Sequence, residues 1–408
     1  MTGLLTLLKM AMGFVIAKVV AIYTGPTGLA MLGQVQSLVN SLNGVVNAPA
    51  GSGVIRYTAE HQQDGFRACS PWWKASLYWI VIITSFLMPA GLLFSTQIAS
   101  WLLQDSSLSW IVIVTTSLLP FSAFGTLCNS VINGQQKYRR YVVLGMLSTL
   151  ISSIVMVCLI IGANIKGALL AASMQSALIG LIMFVTNIRQ PWMKLAYWWG
   201  GQDKVARKAI LSYMLMALTS ALTVPISLIL VRNILIAQVG WDSTGHWQAV
   251  WKISEVYLGV VTVALGTYYL PMLSSLASTN AIVREIHRTA MVIMPIVLFL
   301  SFIIYFSRDL IILFLFTESF YPARDLFFIQ LAGDVIKIAS FLYAYPMISR
   351  GASNWYIFSE IAFSFTFVIF VYYFVSEFGL QGASLGYLVN YMVYFIFCYS
   401  FVRVYSKE

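Results

Sequence analysis

The chain has 408 residues, of which 60% are hydrophobic and 9% are charged, and its formal net charge is +10. Apolar stretches of about 20 residues, the length that crosses a bilayer, recur from one end to the other and exclude an ordinary soluble protein. Most Lys and Arg fall in the gaps between these stretches, so they indicate membrane topology and a lipid-bilayer partner, not nucleic acid.

We therefore predict an all-α polytopic membrane protein with about twelve transmembrane helices and short connections. In chain order the predicted spans are 3–23, 29–48, 72–95, 108–132, 141–163, 166–187, 208–238, 246–270, 288–307, 326–349, 354–376 and 380–402. Because the first span begins so near the start of the sequence, we expect a short additional N-terminal segment or a different start site in the natural protein.

Basic residues indicate how these spans are oriented. With the N-terminus inside, sixteen Lys and Arg fall in cytoplasmic segments, Lys407 among them, against three in outside loops: Lys166, Arg308 and Arg324. This asymmetry follows the positive-inside rule and predicts that both termini are cytoplasmic. Five further basic residues fall inside predicted helices: Lys9, Lys18, Arg232, Lys252 and Lys337.

A weak internal repeat divides the chain into halves. Three short patterns recur at offsets of 217, 217 and 215 residues: Thr27-Gly28 at Thr244-Gly245, Gly134 at Gly351, and Gly167-Ala168 at Gly382-Ala383. We therefore predict two pseudo-symmetric six-helix bundles of the same orientation around a central cavity. Their predicted limits are 1–190 and 207–408, with a cytoplasmic linker at 191–206.

Two predicted spans each carry a polar stripe, because residues three and four apart share a helix face. The stripe of the eighth span is Gln248, Lys252 and Glu255, and that of the tenth is Gln330, Asp334 and Lys337. One interpretation is structural ion pairs, within each helix or between the two helices. The other is the wall of a hydrated cavity, since ionisable groups are costly in a bilayer. The two interpretations are compatible.

Neutral polar stripes mark the second and fourth spans. They consist of Gln36, Asn40, Asn43 and Asn47, and of Ser122, Thr126, Asn129 and Asn133. Such stripes often hold helices together in the membrane. Four amides on one face also suit a surface that contacts water or a hydroxyl-rich ligand.

The remaining intramembrane charges have individual interpretations. Arg232 lies about five residues from the outer end of its span and is expected to snorkel outward. Lys9 is expected to snorkel inward, which leaves Lys18 as the cavity residue of the first span. Arg56 and Glu360 lie near the inner ends of the second and eleventh spans.

Several segments resemble polysaccharide flippases. Tyr23-Thr-Gly-Pro-Thr-Gly-Leu-Ala resembles their G-P-x-G-L turn, and Gly51-Ser-Gly-Val-Ile-Arg-Tyr-Thr-Ala resembles their G-x-G-x-x-[RK]-Y-x-A segment. The second half is similar to the Wzx group at 215–220, 247–250, 253–258, 269–271, 324–327 and 330–337. The resemblance covers the chain from the first span to the last. It is closest to flippases for O-antigen units and for the lipid-linked trisaccharide of enterobacterial common antigen.

The resemblance implies membership of the multidrug/oligosaccharidyl-lipid/polysaccharide exporter (MOP) superfamily, with twelve spans in two halves. It implies flipping of an undecaprenyl-pyrophosphate-linked oligosaccharide across the bacterial inner membrane by alternating access. Glycan polymerase and chain-length proteins are expected partners.

Each part of that substrate suggests its own residues. Cations suit the pyrophosphate, and the candidates are Arg232, Lys252 and Lys337, with Lys18 and Arg56 behind them. Amides suit the sugar, and the candidates are Gln36, Asn40, Asn43, Asn47, Asn129, Gln248 and Gln330. Coupling to an H⁺ or Na⁺ gradient would use a carboxylate, and the candidates are Glu255, Asp334 and Glu360.

Two other functions remain open from the residues alone. One is a cation-coupled exporter of drugs or metabolites from the same superfamily. The other is a membrane glycosyltransferase, polymerase or ligase. The sequence shows no GxxxxGK[ST] loop for ATP hydrolysis and no His or Cys cluster for a metal, so we expect no catalytic residues, metal or other cofactor.

Overall fold

The structure, a computed structural model, describes residues 2–201, 203–276 and 278–406. Within these ranges every regular element is a helix, which confirms the predicted all-α class. Lys407, part of the predicted cytoplasmic charge, and Gln202, part of the predicted linker, lie outside the described residues.

The α-helices are numbered in chain order. They are α1 (Thr2–Asn47), α2 (Ser52–His61), α3 (Phe66–Leu93), α4 (Ser95–Leu103), α5 (Ser109–Gly134), α6 (Tyr138–Asn187), α7 (Lys204–Ala264), α8 (Leu270–Ser275), α9 (Thr279–Phe306), α10 (Arg308–Leu315), α11 (Phe327–Ser349), α12 (Ser353–Phe378) and α13 (Gln381–Tyr405). A π-helical turn, Leu265–Tyr269, joins α7 to α8.

Nine helical segments of the described chain are long and apolar enough to cross a membrane, which confirms a multi-pass membrane protein. Three α-helices are too long for one crossing: α1 has 46 residues, α6 has 50 and α7 has 61. At about 1.5 Å per residue, each is roughly twice as long as a bilayer core is thick, or longer.

Each of these long helices contains a break in its backbone. The breaks lie at Gly25 in α1, at Ala163 and Asn164 in α6, and at Gly240 in α7. All three fall where one predicted span ends and the next begins. The exact count of twelve spans stays a prediction, because each broken helix is assigned as one continuous element.

Local backbone geometry recurs at matching places in the chain. Gly25 (φ 64°, ψ −164°) and Gly240 (φ 83°, ψ 173°) adopt a conformation that is essentially restricted to glycine. Asn164 (φ 48°, ψ −127°) and Gly379 (φ 56°, ψ −137°) form a second similar pair. Both pairs are separated by 215 residues, one of the offsets in the sequence repeat.

The chain divides into two compact units. Unit 1 contains the described residues up to Tyr23 together with Met31–Ile229, and unit 2 contains Thr24–Ala30 and the described residues from Leu230 onward. The limit between them lies inside α7. The predicted limits 1–190, 191–206 and 207–408, and the predicted cavity between two bundles, stay predictions.

The core of unit 1 includes part of the predicted linker. Trp192 and Trp198 are buried beside Trp73, whose ring stacks on that of Trp198 with centroids 5.2 Å apart. The indole of Trp198 donates to the carbonyl of Trp192 (2.9 Å). The segment that follows α6 is therefore packed into unit 1 at these tryptophans.

The core of unit 2 is built around α11, which packs against α13 and α9. Buried tyrosines of the π-helical turn and of α13 bond to α11 through their hydroxyl groups. The Tyr269 hydroxyl donates to the Leu342 carbonyl (2.8 Å), and the Tyr405 hydroxyl donates to the Tyr343 carbonyl (2.7 Å). Each bond satisfies a polar group that has no access to bulk water in the membrane.

Candidate functional site

The carboxylate of Asp334 is completely buried in unit 2 and is held by three hydroxyl groups. Ser254 Oγ and the Tyr257 hydroxyl, both on α7, donate to Oδ2 at 2.6 and 2.7 Å, and the Tyr387 hydroxyl on α13 donates to Oδ1 at 2.8 Å. Hydrogen bonds to an ionised acceptor are stronger than neutral ones, so this arrangement offsets much of the cost of burial.

Lys337, one turn further along α11, has aromatic neighbours. Its Nζ lies 5.1 Å from the ring centroid of Tyr391, 5.6 Å from that of Tyr387, 5.7 Å from that of Trp251 and 5.8 Å from that of Phe341. We call these four side chains the aromatic shell of Lys337. A cation within about 6 Å of ring faces is stabilised by their quadrupoles.

One of the interpretations of the tenth span's stripe, an ion pair within the helix, does not match the structure. Among the described residues no ion pair joins Asp334 to Lys337, although they share a helix face. The reason is that α7 and α13 supply hydroxyls to the carboxylate and rings to the ammonium. Tyr387 takes part in both contacts, so it connects the two charges.

The polar stripe of the eighth span does form an internal ion pair. Lys252 Nζ lies 2.8 Å from Glu255 Oε2. The lysine side chain is 25% exposed and the glutamate side chain is 57% exposed. The two residues are about one helical turn apart, and their contact is the kind that the three-residue spacing predicts.

Arg232 does not snorkel outward as predicted. It is 2% exposed, its Nε donates to Gln248 Oε1 at 2.7 Å, and its guanidinium lies 5.9 Å from the Trp247 ring centroid. The guanidinium is planar and more weakly hydrated than an ammonium, which makes it the cation best suited to such burial.

Gln330, the third polar residue of the tenth span, is also completely buried. Its Oε1 accepts from Ser384 Oγ at 3.1 Å, and its Nε2 has no hydrogen-bond partner among the described residues. Gln248 and Gln330, both predicted to contact sugar, thus bond within unit 2, Gln248 to another residue of α7 and Gln330 to α13.

The amide stripe of the second span is divided between two uses. In unit 1, Asn43 donates to Ser176 Oγ (2.9 Å) and Asn47 donates to Ser122 Oγ (3.3 Å), so these two hold helices together. Asn40 is exposed and Gln36 is half-buried. Asn40 and Gln36 take no part in these two contacts, so their amides remain available to a ligand.

The remaining predicted site residues of unit 1 are Asn129 and three basic residues, Lys9, Lys18 and Arg56. Lys9 is exposed and lines a small cavity of about 40 Å³ with Asn129 and Tyr141, and its inward snorkelling stays a prediction. Lys18 is half-buried. Arg56 is exposed, donates to the Tyr213 hydroxyl and lies 4.0 Å from Glu60.

In unit 2, Glu360 is half-buried on α12. Sequence reasoning missed the aromatic shell and the hydroxyl groups around Asp334. Its only available signals were the four-residue spacing of Tyr387 and Tyr391 and the position of Trp251 beside Lys252.

Comparison with known proteins supports the sequence resemblance. No family model matches the chain. The lipid III flippases of Escherichia coli (strain K12) and Shigella flexneri are each 26% identical to it over 397 residues, covering 97% of this chain and 95% of each flippase. They confirm the predicted resemblance and the prediction of a transporter instead of an enzyme.

Solved transporter structures share the fold. An inward-facing multidrug resistance MATE family transporter of the MOP superfamily has a TM-score of 0.78 at 16% identity, covering 99% of this chain and 96% of that one. An outward-facing MATE family structure gives 0.68 at 15%, covering 99% and 95%. A MOP superfamily transporter from Pyrococcus furiosus gives 0.67 at 15%, covering 99% and 95%. The chain therefore has the fold of these solved transporters, and along nearly its whole length its sequence is similar to that of the two lipid III flippases.

Proposed function

We propose that this protein moves an undecaprenyl-pyrophosphate-linked oligosaccharide, an O-antigen unit or lipid III, from the cytoplasmic to the periplasmic leaflet by alternating access. The observation that carries the proposal is its similarity, over 97% of its length, to two proteins named lipid III flippase. The MOP fold supports alternating access, because transporters of this architecture rock one helical repeat against the other.

The pyrophosphate of such a substrate needs cations with unused hydrogen-bond capacity. Lys252 and Lys337 are both half-buried, and Lys252 has one carboxylate partner while Lys337 has aromatic ones. We therefore place them first. Arg232 is buried against Gln248 and acts behind them, and Lys18 and Arg56 are the candidates in unit 1.

The sugar needs hydrogen-bond partners that are not already used within the protein. Gln36 and Asn40 meet this condition best. Asn43, Asn47, Gln248 and Gln330 already bond to other side chains of the protein, and Asn129 lines the small cavity beside Lys9. We keep Gln36 and Asn40 as the amides that contact sugar.

We further propose that the protein lies in the bacterial inner membrane with both termini in the cytoplasm, as its distribution of basic residues favours. A polymerase and chain-length proteins would remove the flipped unit on the periplasmic side. Coupling to an H⁺ or Na⁺ gradient would use Glu255, Asp334 or Glu360.

The function is tested by depleting the protein in a strain that has no second flippase for the same glycan. We expect undecaprenyl-pyrophosphate-linked oligosaccharide to accumulate, as measured by mass spectrometry of extracted lipids, and surface glycan to disappear. Normal surface glycan without accumulation would contradict the proposal.

A second candidate, a cation-coupled exporter of drugs or metabolites, rests on the shared fold with MATE family transporters. The same strain distinguishes the two. Raised sensitivity to cationic dyes with unchanged lipid-linked glycan would favour export of drugs.

A further inference from the structure

We propose that Trp251 and Tyr391, beside Lys337, form a stacking surface for the pyranose ring that is joined directly to the pyrophosphate. This inference rests on the proposed function and extends it. It assigns to one part of unit 2 the discrimination between a glycosylated carrier lipid and the bare carrier lipid.

The first step is the state of the Lys337 ammonium. Among the described residues it has no hydrogen bond and no ion pair, and its neighbours are the four rings of the aromatic shell. The nearby carboxylate of Asp334 already accepts three hydroxyl groups. The three N–H donors of Lys337 are therefore available to an incoming anion, for which phosphate oxygens are strong acceptors.

The second step is the direction in which this cluster faces. Trp251, Lys337 and Tyr387 each lie nine residues from a strongly exposed apolar residue of the same helix, namely Val260, Phe328 and Ile396. Nine residues at about 100° each make two and a half turns, so residues nine apart lie on opposite sides of a helix. Trp251, Lys337 and Tyr387 thus each lie on the side of their helix that is opposite this exposed apolar residue.

The third step is which rings a ligand can reach. Tyr387 is 1% exposed and donates to Asp334. It therefore helps to position the neighbouring rings, but its own ring has no face that a ligand can reach. Trp251 and Tyr391 are half-buried. Trp251 is supported by Trp247 and by Phe367, with ring centroids 5.2 and 6.2 Å away, and this packing limits its rotation before any ligand binds.

The fourth step is the chemistry of the ligand. A pyranose has a face of C–H groups that is apolar and stacks on aromatic rings, while its hydroxyls point outward. The first sugar is one oxygen atom away from the phosphate, so a phosphate on Lys337 brings that sugar against the adjacent rings. Rigid aromatic side chains supply large contact area at low entropic cost.

The test measures binding of two probes to the purified protein in nanodiscs: undecaprenyl pyrophosphate and undecaprenyl-pyrophosphoryl-N-acetylglucosamine. We expect the wild type to bind the glycosylated probe about tenfold more tightly, a difference of the size that one aromatic contact provides. Trp251→Leu and Tyr391→Leu should remove that difference, because each should weaken binding of the glycosylated probe about tenfold more than binding of the bare pyrophosphate. Lys337→Met should weaken binding of both probes.

Two controls separate stacking from folding. Tyr391→Phe keeps the ring and should keep the preference for the sugar. Phe363→Leu changes a half-buried aromatic residue that packs on Tyr394, outside the aromatic shell, and should also keep it. If Trp251→Leu does not fold, the comparison of Tyr391→Leu with Tyr391→Phe decides the question.

The outcomes distinguish this inference from the function on which it rests. If the wild type binds neither probe, the proposed function is wrong. If it binds both equally, or if the two leucine variants keep the preference for the sugar, the stacking surface is wrong and the proposed function stands.

Discussion

Asp334 and Lys337 are one helical turn apart on α11, yet each is stabilised by a different chemistry. Three hydroxyl donors offset the desolvation of the carboxylate, and four rings surround the ammonium. The sequence predicted the polar stripe, because spacing along one helix is local. It did not predict the partners, because these come from α7 and α13, which are distant in the chain.

Lys337 should be dispensable for folding and necessary for transport. A half-buried ammonium without an acceptor contributes little net stability, and replacing such a group by an apolar one of similar size is often neutral or stabilising. We expect Lys337→Met to keep or raise the thermal unfolding temperature in detergent and to lose complementation of a flippase-deficient strain. Lys337→Arg should retain part of the activity, and full complementation by Lys337→Met would contradict a role in binding.

Asp334, unlike Lys337, should contribute strongly to the stability of the fold. Asparagine cannot accept from three hydroxyls as a carboxylate does, and a hydrogen bond to a charged group contributes about 1.5–3 kcal/mol. We therefore expect Asp334→Asn to lower the unfolding temperature clearly. Glu255→Gln, at an ion pair that is mostly exposed on the glutamate side, is the control and should change it little. Equal effects would show that the hydroxyl network does not stabilise unit 2.

At the scale of helices, the limits between successive predicted spans are marked by breaks in the backbone. Apolar pattern and glycine-containing turns predicted where α1, α6 and α7 would be interrupted, and the structure places a break at each position. The segment after α6 was predicted as a cytoplasmic linker, and its limits stay a prediction. The sequence did not predict that Trp192 and Trp198 pack into the core of unit 1.

The break at Gly25 should depend on glycine for conformational reasons alone. A Cβ at this residue would have no atom within 4 Å, but its φ is +64°. Gly25→Ala should therefore cost about 1–3 kcal/mol through backbone strain, seen as a lower unfolding temperature.

Gly13→Ala is the matched control for Gly25→Ala. It has the same open space, lies within α1 and has no positive φ, so it should be neutral or stabilising. If both alanine variants behave alike, the break is not maintained by the glycine conformation.

In the whole molecule, charge and neutral polarity are distributed unequally between the units. Arg232, Lys252, Lys337, Glu255 and Asp334 all belong to unit 2, whereas the amide stripe of α1 belongs to unit 1. The sequence predicted this distribution, because it depends only on residue type and position. Under the proposed function, the two cations placed first for the pyrophosphate, Lys252 and Lys337, therefore both belong to unit 2.

The same distribution places the proposed ion coupling in unit 2, at the Lys252–Glu255 pair. The lysine and the glutamate neutralise each other while they are in contact. We propose that a pyrophosphate that binds Lys252 takes this partner away from Glu255, and that a coupling proton then compensates the charge of the glutamate. Binding of substrate and of a proton would then support each other, and a proton gradient could drive net export.

Flipping by purified protein in proteoliposomes tests this coupling. We expect the wild-type rate to rise when a pH gradient is applied and Glu255→Gln to flip at a rate that the gradient does not change. Because the amide introduced by this substitution still accepts a hydrogen bond from Lys252 and the pair is partly exposed, the variant should bind substrate and fold normally. If the wild-type rate responds to neither a pH gradient nor a membrane potential, the pair only stabilises α7, and removal of the product by polymerisation must drive transport.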